Sequence, residues 1–299
     1  MNSRVEREPA EYLSTHLRPA FEQDSTKVVH VFKNTEFVPD YGWSQVRGST
    51  PFDIANQLIR VDLDRKGEMV MSQHINNVVL VHGAFADGSG WKRVADILKN
   101  DGYRVSVAQP PETSYADDQK YTKAAIDAMG GPVVLVGHSY GGSIITEAGN
   151  HPSVKALVYI AAFALDEGES CASIEQALPQ ASTAFKSDSN GLWWIDEPHF
   201  VADFAADIPR DEAEFMATAQ VPISTDAFTH PVKNPAWKHK PTFYMVASED
   251  RSINPDQERM MAKRAKAKTV EVKSSHVAYM SHPKETAKLI EEAAASVNG

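Results

Sequence analysis

The chain has 299 residues, of which 42% are hydrophobic, and a formal net charge of -10 at pH 7. This length and apolar content suffice for a sizeable buried core, whereas the excess of negative charge argues against a nucleic-acid-binding protein. The single cysteine, Cys171, excludes an internal disulfide framework and a cysteine-based structural zinc site, and we expect it as a small residue at the start of a helix.

Residues 1–74 carry little recognisable chemistry. Residues 1–12 are charged and lack the apolar core of a signal peptide, and no apolar stretch of the sequence is long enough to span a bilayer, so we expect a cytoplasmic protein without a membrane partner. Residues 27–32 and 58–63 alternate as strands do, within polar surroundings. They favour either an antiparallel hairpin at a sheet edge or, as we interpret them, a loosely attached extension.

The compact domain is predicted to comprise residues 75–299, with residues 1–74 as an N-terminal extension. The codons for Lys66-Gly67-Glu68 can form a purine-rich run that resembles a bacterial ribosome-binding site, at a suitable distance before Met69 and Met71. We therefore hypothesise that the native protein begins near one of these methionines.

Strand and helix patterns alternate from residue 76 onward. Short continuous apolar runs predict buried strands, and apolar residues at helical spacing predict amphipathic helices. The predicted strands are residues 78–81, 104–108, 133–136, 156–161, 241–247 and 269–272, and the predicted helices are residues 91–98, 121–129, 211–219, 256–265 and 283–294. This alternation predicts an α/β fold with a mostly parallel sheet and helices on both faces.

A His-Gly turn follows the first of these strands. After such a strand, the turn can present a backbone N–H to an oxyanion, and we assign this donor to Ala84, which follows Gly83. His82 is a conceivable base. Because a histidine at a strand end more often forms a local hydrogen bond, we interpret His82 as a brace for the loop.

The sequence Gly137-His138-Ser139-Tyr140-Gly141 interrupts the next apolar run and leads into helix-forming residues. A serine hydroxyl is a weak nucleophile, so it must stand clear of the backbone, near a base and near amide donors. A sharp strand-to-helix turn meets these needs, and the glycines avoid collisions within it. We predict that Ser139 is the nucleophile and that the backbone N–H of Tyr140 is the second oxyanion donor.

Residues 164–238 interrupt the alternation with several aromatic residues and short helical patterns. An insertion of this length is typical of a lid, so we predict a helical cap. Its aromatic side chains together predict an apolar pocket above Ser139.

An acid and a histidine follow the last two predicted strands. Asp250 comes just after residues 241–247, and His276 comes just after residues 269–272, which gives the order serine, acid, histidine along the chain. We predict that His276 takes the Ser139 proton and returns it to the leaving group. Asp250 would hold the imidazole tautomer and stabilise its cation.

Other residues compete for these roles. Glu249 adjoins Asp250 but should point away from it, and His282, which precedes Pro283, is typical of a helix start. Asp166, after an earlier strand, is the main alternative acid.

With these motifs the chain from about residue 76 resembles the α/β-hydrolase superfamily, within the branch of small bacterial esterases related to plant methylesterases and hydroxynitrile lyases. The matching segments are residues 81–84 (VHGA), 137–142 (GHSYGG), 248–250 (SED) and 275–276 (SH). The resemblance implies a cofactor-independent serine esterase that acts on small apolar esters. No cluster of His, Cys and Asp in the sequence has convincing metal-ligand spacing, so we expect no metal. The N-terminal part lies outside the resemblance.

Two other functions share this scaffold. One is a hydroxynitrile-lyase-like cleavage of a carbon–carbon bond. The plant lyases that catalyse this reaction carry a lysine after the catalytic histidine and a threonine at the His-Gly turn. This sequence has Val277 and Gly83 there, so a leaving cyanide would lack its stabilising charge. The other is a non-catalytic ligand receptor, against which the intact set of serine, acid and histidine argues.

Overall fold

The computed structural model describes residues 30–31, 59–63, 69–73, 75–178 and 180–297. The chain divides into two compact units, Met1–His74 and Ile75–Gly299. The strands of the second unit are β4 Asn77–Val81, β5 Arg104–Ala108, β6 Val133–Ser139, β7 Val154–Ala162, β8 Phe185–Ser187, β9 Leu192–Ile195, β10 Ile223–Ser224, β11 Thr242–Ala247 and β12 Lys268–Val272. Its α-helices are α1 Lys92–Asn100, α2 Tyr115–Ala128, α3 Tyr140–Ala148, α4 Cys171–Ala177, α5 Glu197–Asp203, α6 Arg210–Thr218, α7 Thr225–Thr229, α8 Pro255–Arg264, α9 Ala278–Ser281 and α10 Pro283–Ser296.

The first unit contains a three-stranded antiparallel sheet. Its strands are β1 His30–Val31, β2 Ile59–Leu63 and β3 Met69–Gln73, in the order β1-β2-β3. The two strands predicted here are confirmed in part, since β1 covers two residues of the predicted six. The third strand was not predicted, because it follows a charged stretch without alternation.

The proposed native start near Met71 falls inside β3, whereas the central strand β4 begins at Asn77. We expect a shortened chain that begins at Met71 to fold and to retain activity, because it keeps every strand of the six-stranded sheet. Circular dichroism, thermal unfolding and the ester assay described below check this expectation. A chain that begins at Gly83 lacks β4 and is the control that should not fold. Aggregation or inactivity of the Met71 chain would contradict the hypothesis.

The second unit is built on a six-stranded parallel sheet with the order β12-β11-β7-β6-β4-β5. Every residue of β4, β6 and β11 is buried, which explains why these strands are continuous apolar runs. The sheet strands predicted from the sequence are confirmed to within three residues at each end, and residues 104–108 match β5 without a difference.

The strands that follow β4 along the chain are placed on both sides of it in the sheet. The chain passes from β4 to β5 on one side, and then returns past β4 to β6 on the other. Since such crossovers are right-handed, α1 and α2 lie on opposite faces of the sheet. Ligands in open parallel sheets bind at the carboxyl ends of the strands where the order reverses, which is where β4 leads into the His-Gly turn and β6 into Ser139.

Helix α2 begins earlier than the sequence pattern predicts, at Tyr115 and not at Tyr121. Its first turns contain charged residues, which hide the apolar period. The side chain of Ser114 caps the helix by accepting a hydrogen bond from the amide of Asp117. One of these early polar residues, Asp118, is nevertheless buried.

The insertion of residues 164–238 forms the predicted cap, but the cap is not purely helical. It contains α4 to α7 and a small antiparallel sheet in the order β10-β9-β8. These strands have only two to four residues, which is too short for an alternating pattern to show. Cys171 is the first residue of α4 and is buried, as expected.

In the part of the chain that the structure describes, none of the helices combines the length and the apolar character needed to cross a membrane.

Candidate active site

The turn between β6 and α3 holds Ser139 in an unusual backbone conformation. Its φ is 52° and its ψ is -123°, a region that residues with a side chain rarely adopt and that costs about 1–3 kcal/mol. This conformation is typical of a nucleophile elbow, in which the serine side chain projects from a sharp strand-to-helix turn. The surrounding structure must hold Ser139 in this strained position.

Glycines allow the close packing around this turn. A Cβ on Gly137 would lie 2.5 Å from the carbonyl oxygen of Gly141, and a Cβ on Gly141 would lie 2.5 Å from that of His82. The predicted collisions at these two glycines are therefore confirmed. A Cβ on Gly83 would lie 2.5 Å from Cβ of Ser139, so the His-Gly turn packs directly against the serine.

The structure brings the predicted acid and base together. Nδ1 of His276 lies 2.5 Å from Oδ2 of Asp250, and both side chains are buried. The other carboxylate oxygen, Oδ1, accepts hydrogen bonds from the amides of Ser252 (2.7 Å) and Ile253 (2.9 Å). In the tautomer whose Nδ1–H donates to the carboxylate, Nε2 of the imidazole can accept a proton, as a general base requires.

His138 connects the histidine loop to the elbow. Its Nε2 donates to the carbonyl oxygen of His276 at 3.0 Å, and the two rings lie 4.6 Å apart. Burial lowers the pKa of His138 well below its ordinary value, so the ring remains neutral. Because His138 directly precedes Ser139, this bond fixes the base relative to the predicted nucleophile. The sequence motif contained His138 but gave it no role.

The competing residues have partners elsewhere. Glu249 is exposed and lies 3.5 Å from Nζ of Lys273, and the carboxylate of Asp166 lies 2.6 Å from Nζ of Lys238, a hydrogen bond that lowers the pKa of Asp166. His282 stands at the start of α10, as predicted, but its side chain forms no capping hydrogen bond.

The His-Gly turn carries one of the two predicted oxyanion donors. Nδ1 of His82 lies 3.1 Å from the carbonyl oxygen of Gly83, which confirms the predicted local brace. Ala84 is buried beside it. Tyr140 is the first residue of α3, so its amide has no acceptor within the helix. The assignment of the Ala84 and Tyr140 amides as oxyanion donors stays a prediction.

A chain of aromatic rings from the cap and from the loop after the His-Gly turn begins at the predicted base, His276. The ring of Phe204 packs edge-on against His276, with 4.8 Å between centroids. Phe85 lies 6.5 Å from Phe204 and 5.8 Å from Phe185. Of the cap aromatics, Phe204 thus contacts the base directly, and these rings create apolar surroundings beside it.

Two aspartates of the cap bind the loops that follow β11 and β12. The carboxylate of Asp207 accepts from the amide of Ser275 at 3.1 Å and also from its hydroxyl. The carboxylate of Asp203 accepts from Nε of Arg251 at 2.8 Å. The cap therefore holds the loops that carry the predicted acid and base, a role that no sequence spacing indicated.

A second buried carboxyl group, that of Glu258 on α8, adjoins Asp250. Its Oε2 accepts from the amide of Ala247 at 3.0 Å. Burial and then the charge of Asp250 raise the pKa of Glu258 well above its ordinary value. A protonated Glu258 adds no second negative charge beside the predicted acid.

A cavity of about 120 Å³ lies between the loop after Ala84 and helix α6 of the cap. Its lining is Phe85, Ala86, Asp87, Ser89, Gly90, Glu212, Phe215, Met216, Ala219 and Met280. Most of these side chains are apolar, so the space beside the His-Gly turn suits an apolar group.

Comparisons with known proteins agree with this architecture. A family model described as the alpha/beta hydrolase family matches residues 78–289. The carbendazim hydrolyzing esterase of Nocardioides sp. (strain SG-4G) is 35% identical over 124 residues, which are 36% of this chain and 51% of that protein. The pyrethroid hydrolase of Sphingobium wenxiniae is 25% identical over 247 residues, covering 72% of this chain and 86% of that protein.

A solved structure of an extracellular alpha/beta-hydrolase from a Paenibacillus species has a TM-score of 0.63 and 21% sequence identity. It covers 73% of this chain and 98% of the other. At this identity the likeness establishes the fold of the second unit.

Proposed function

The chain belongs to the alpha/beta hydrolase family, and from this membership we propose that it is a serine esterase that cleaves small apolar carboxylic esters. The observation that carries the proposal is the 2.5 Å contact between Nδ1 of His276 and the buried carboxylate of Asp250, next to the strained turn that holds Ser139. The two relatives described above are named as an esterase and a hydrolase, which supports hydrolysis as the class of reaction.

In the first half of the proposed reaction, Nε2 of His276 takes the hydroxyl proton of Ser139 while Oγ attacks the ester carbonyl. The negative charge that develops on the carbonyl oxygen is stabilised by the amides of Ala84 and Tyr140. The imidazolium, held by Asp250, then gives its proton to the departing alcohol. An acyl group remains on Ser139.

In the second half, a water molecule gives its proton to His276 and attacks the acyl carbonyl. The same two amides stabilise the second oxyanion, and His276 returns the proton to Oγ as the acid leaves. The buried setting of Asp250 and His276 strengthens these electrostatic interactions, because little water screens them.

The preference for apolar esters is argued from the surroundings of the base. Phe204 packs against His276 and is followed outward by the rings of Phe85 and Phe185, and the cavity beside Phe85 has a mainly apolar lining. Apolar acyl or alcohol groups gain most from such surfaces.

The experiment that tests the proposal is a panel of p-nitrophenyl, aryl and methyl esters of graded acyl length, assayed with the wild type and with Ser139→Ala. We expect hydrolysis by the wild type and its loss in the variant. Ser143→Ala is the matched control, since Ser143 is another buried serine, on α3, outside the proposed mechanism. Absence of hydrolysis across the panel, or equal activity of Ser139→Ala, would refute the esterase assignment.

We also predict that activity is independent of metals and cofactors, because every proposed step uses protein side chains and amides. The sequence has neither a P-loop nor a G-x-G-x-x-G turn, and no convincing set of metal ligands. The ester assay before and after dialysis against EDTA measures this. If dialysis against EDTA abolished the activity and a divalent ion restored it, the prediction would be wrong and the protein would have a metal site.

A further inference from the structure

A buried polar network that the proposed mechanism does not use lies under the two predicted oxyanion donors. At its centre is Asp118 on α2. Its Oδ2 accepts from the hydroxyl of Tyr140 at 2.6 Å, and its Oδ1 accepts from the backbone amide of Glu112 at 2.7 Å. All three residues are buried, with relative exposures of 0%.

The first contact holds one half of the predicted oxyanion hole. Tyr140 is the first residue of α3, and its amide is one of the two predicted donors. Because the phenol of the same residue is fixed to Asp118, the first turn of the helix has little freedom to rotate. The direction of the Tyr140 amide therefore depends on a side-chain contact on the far side of the turn.

The second contact of Asp118, with the backbone amide of Glu112, connects it to the Ala84 half of the predicted oxyanion hole. Oε1 of Glu112 packs 3.3 Å from Nδ1 of His82, the residue that begins the His-Gly turn carrying Ala84, without forming a hydrogen bond to it. Glu112 has a φ of 60°, which is rare for a residue with a side chain, so its position requires strong contacts. The carbonyl oxygen of Glu112 also accepts from the amide of Ser224 in the cap, at 2.9 Å.

We propose that Asp118 is a positioning residue that sets the Tyr140 and Ala84 amides relative to each other, by holding the Tyr140 phenol and the Glu112 backbone at once. This inference rests on the proposed function, since it concerns the donors that stabilise the oxyanion. It assigns a role to the Tyr140 side chain, which the elbow motif alone leaves without one.

The charges of the network are consistent with this role. Burial raises the pKa of Glu112 well above its ordinary value and lowers that of His82, so burial favours the neutral form of both groups. Burial also raises the pKa of Asp118, but the hydrogen bonds from Tyr140 and Glu112 oppose this effect. Two donors, the Tyr140 hydroxyl and the Glu112 amide, thus face the carboxyl group at the centre.

The test compares kcat and KM for Tyr140→Phe and Asp118→Ala on the best ester of the panel. Tyr140→Phe keeps the ring and the amide and removes only the hydroxyl, so we expect kcat to fall about 10- to 100-fold with KM changed by less than about threefold. Asp118→Asn should recover part of the loss seen in Asp118→Ala, because its amide oxygen can still accept from Glu112.

Tyr159→Phe is the matched control. It removes another fully buried phenol hydroxyl, which bonds to Thr146 at 2.9 Å and lies outside the network. We expect Tyr159→Phe to lose about as much stability as Tyr140→Phe and to keep the kcat of the wild type. A kcat for Tyr140→Phe within about twofold of the wild type, or the same loss in Tyr159→Phe, would overturn the proposal.

A fluorophosphonate probe separates this result from failure of the esterase assignment. Phosphonylation of Ser139 needs the nucleophile and the oxyanion donors but no ester turnover. If the wild type hydrolyses no ester, the proposed function fails, and the phosphonylation rates of the same variants decide the positioning role. Slower labelling of Tyr140→Phe than of Tyr159→Phe supports the role of Asp118, and equal rates refute it.

Discussion

Replacement of Ser139 or His276 by alanine is expected to lower kcat about 10⁴- to 10⁶-fold, with the protein still folded. The reason is that the two residues act in one proton transfer in the mechanism proposed above. Without the serine there is no acyl-enzyme, and without the imidazole the hydroxyl remains a poor nucleophile. The double variant should therefore be little worse than either single variant.

Steady-state kinetics of the three variants measure this effect, and thermal unfolding checks that each is folded. His276→Ala needs this check most, because its ring packs against Phe204 and His138. Ser143→Ala again serves as the control for a buried serine lost near the elbow. If the losses of the single variants multiplied in the double variant, the shared role in proton transfer would be wrong.

The second large effect is expected for Asp250→Asn, which should lower kcat about 10⁴-fold. An asparagine can still accept from the amides of Ser252 and Ile253 through its oxygen. Its NH2 group would then face Nδ1 of His276, which makes Nδ1 the acceptor and moves the ring proton to Nε2. The base would be lost although the packing is kept.

Asp166→Asn is the matched comparison. It should lower kcat less than about tenfold, because an aspartate that does not hold the imidazole tautomer does not affect proton transfer. Its carboxylate pairs with Nζ of Lys238 at 2.6 Å, whereas that of Asp250 lies against His276. Kinetics and thermal unfolding of both variants decide between the two acids. If the losses came out reversed, the triad would be Ser139, Asp166 and His276.

Most of the sheet could be read from the sequence because its central strands are buried on both faces. Residues 78–81 and 133–136 are continuous apolar runs for this reason, and each leads into a glycine-containing turn. The resemblance drawn from those turns is confirmed by the family model and by the related esterases. The glycines at 137 and 141 were predictable because backbone crowding leaves no room for a side chain.

The order of the serine, the acid and the histidine along the chain could also be predicted from the sequence. Parallel strands end at one edge of the sheet, so residues that follow β6, β11 and β12 must converge there. Ser139 ends the first of these strands, and Asp250 and His276 follow the other two. Their convergence needs only the topology of the sheet, and no detail of packing.

What the sequence did not predict depends on contacts between distant segments. Asp207 and Phe204 of the cap contact the histidine loop about 70 residues later, and Asp118 reaches Tyr140 from the preceding helix. None of these residues lies at a regular spacing from its partner.

The sequence by itself determined the strands, the elbow and the order of serine, acid and histidine, because periodic burial and steric crowding act over a few residues. The tertiary structure alone decided which buried acidic side chains lie against the site, Asp118, Asp207 and Glu258 among them. A buried acidic group needs hydrogen-bond donors, and here the donors come from other segments of the chain. These segments are brought together only when the chain folds.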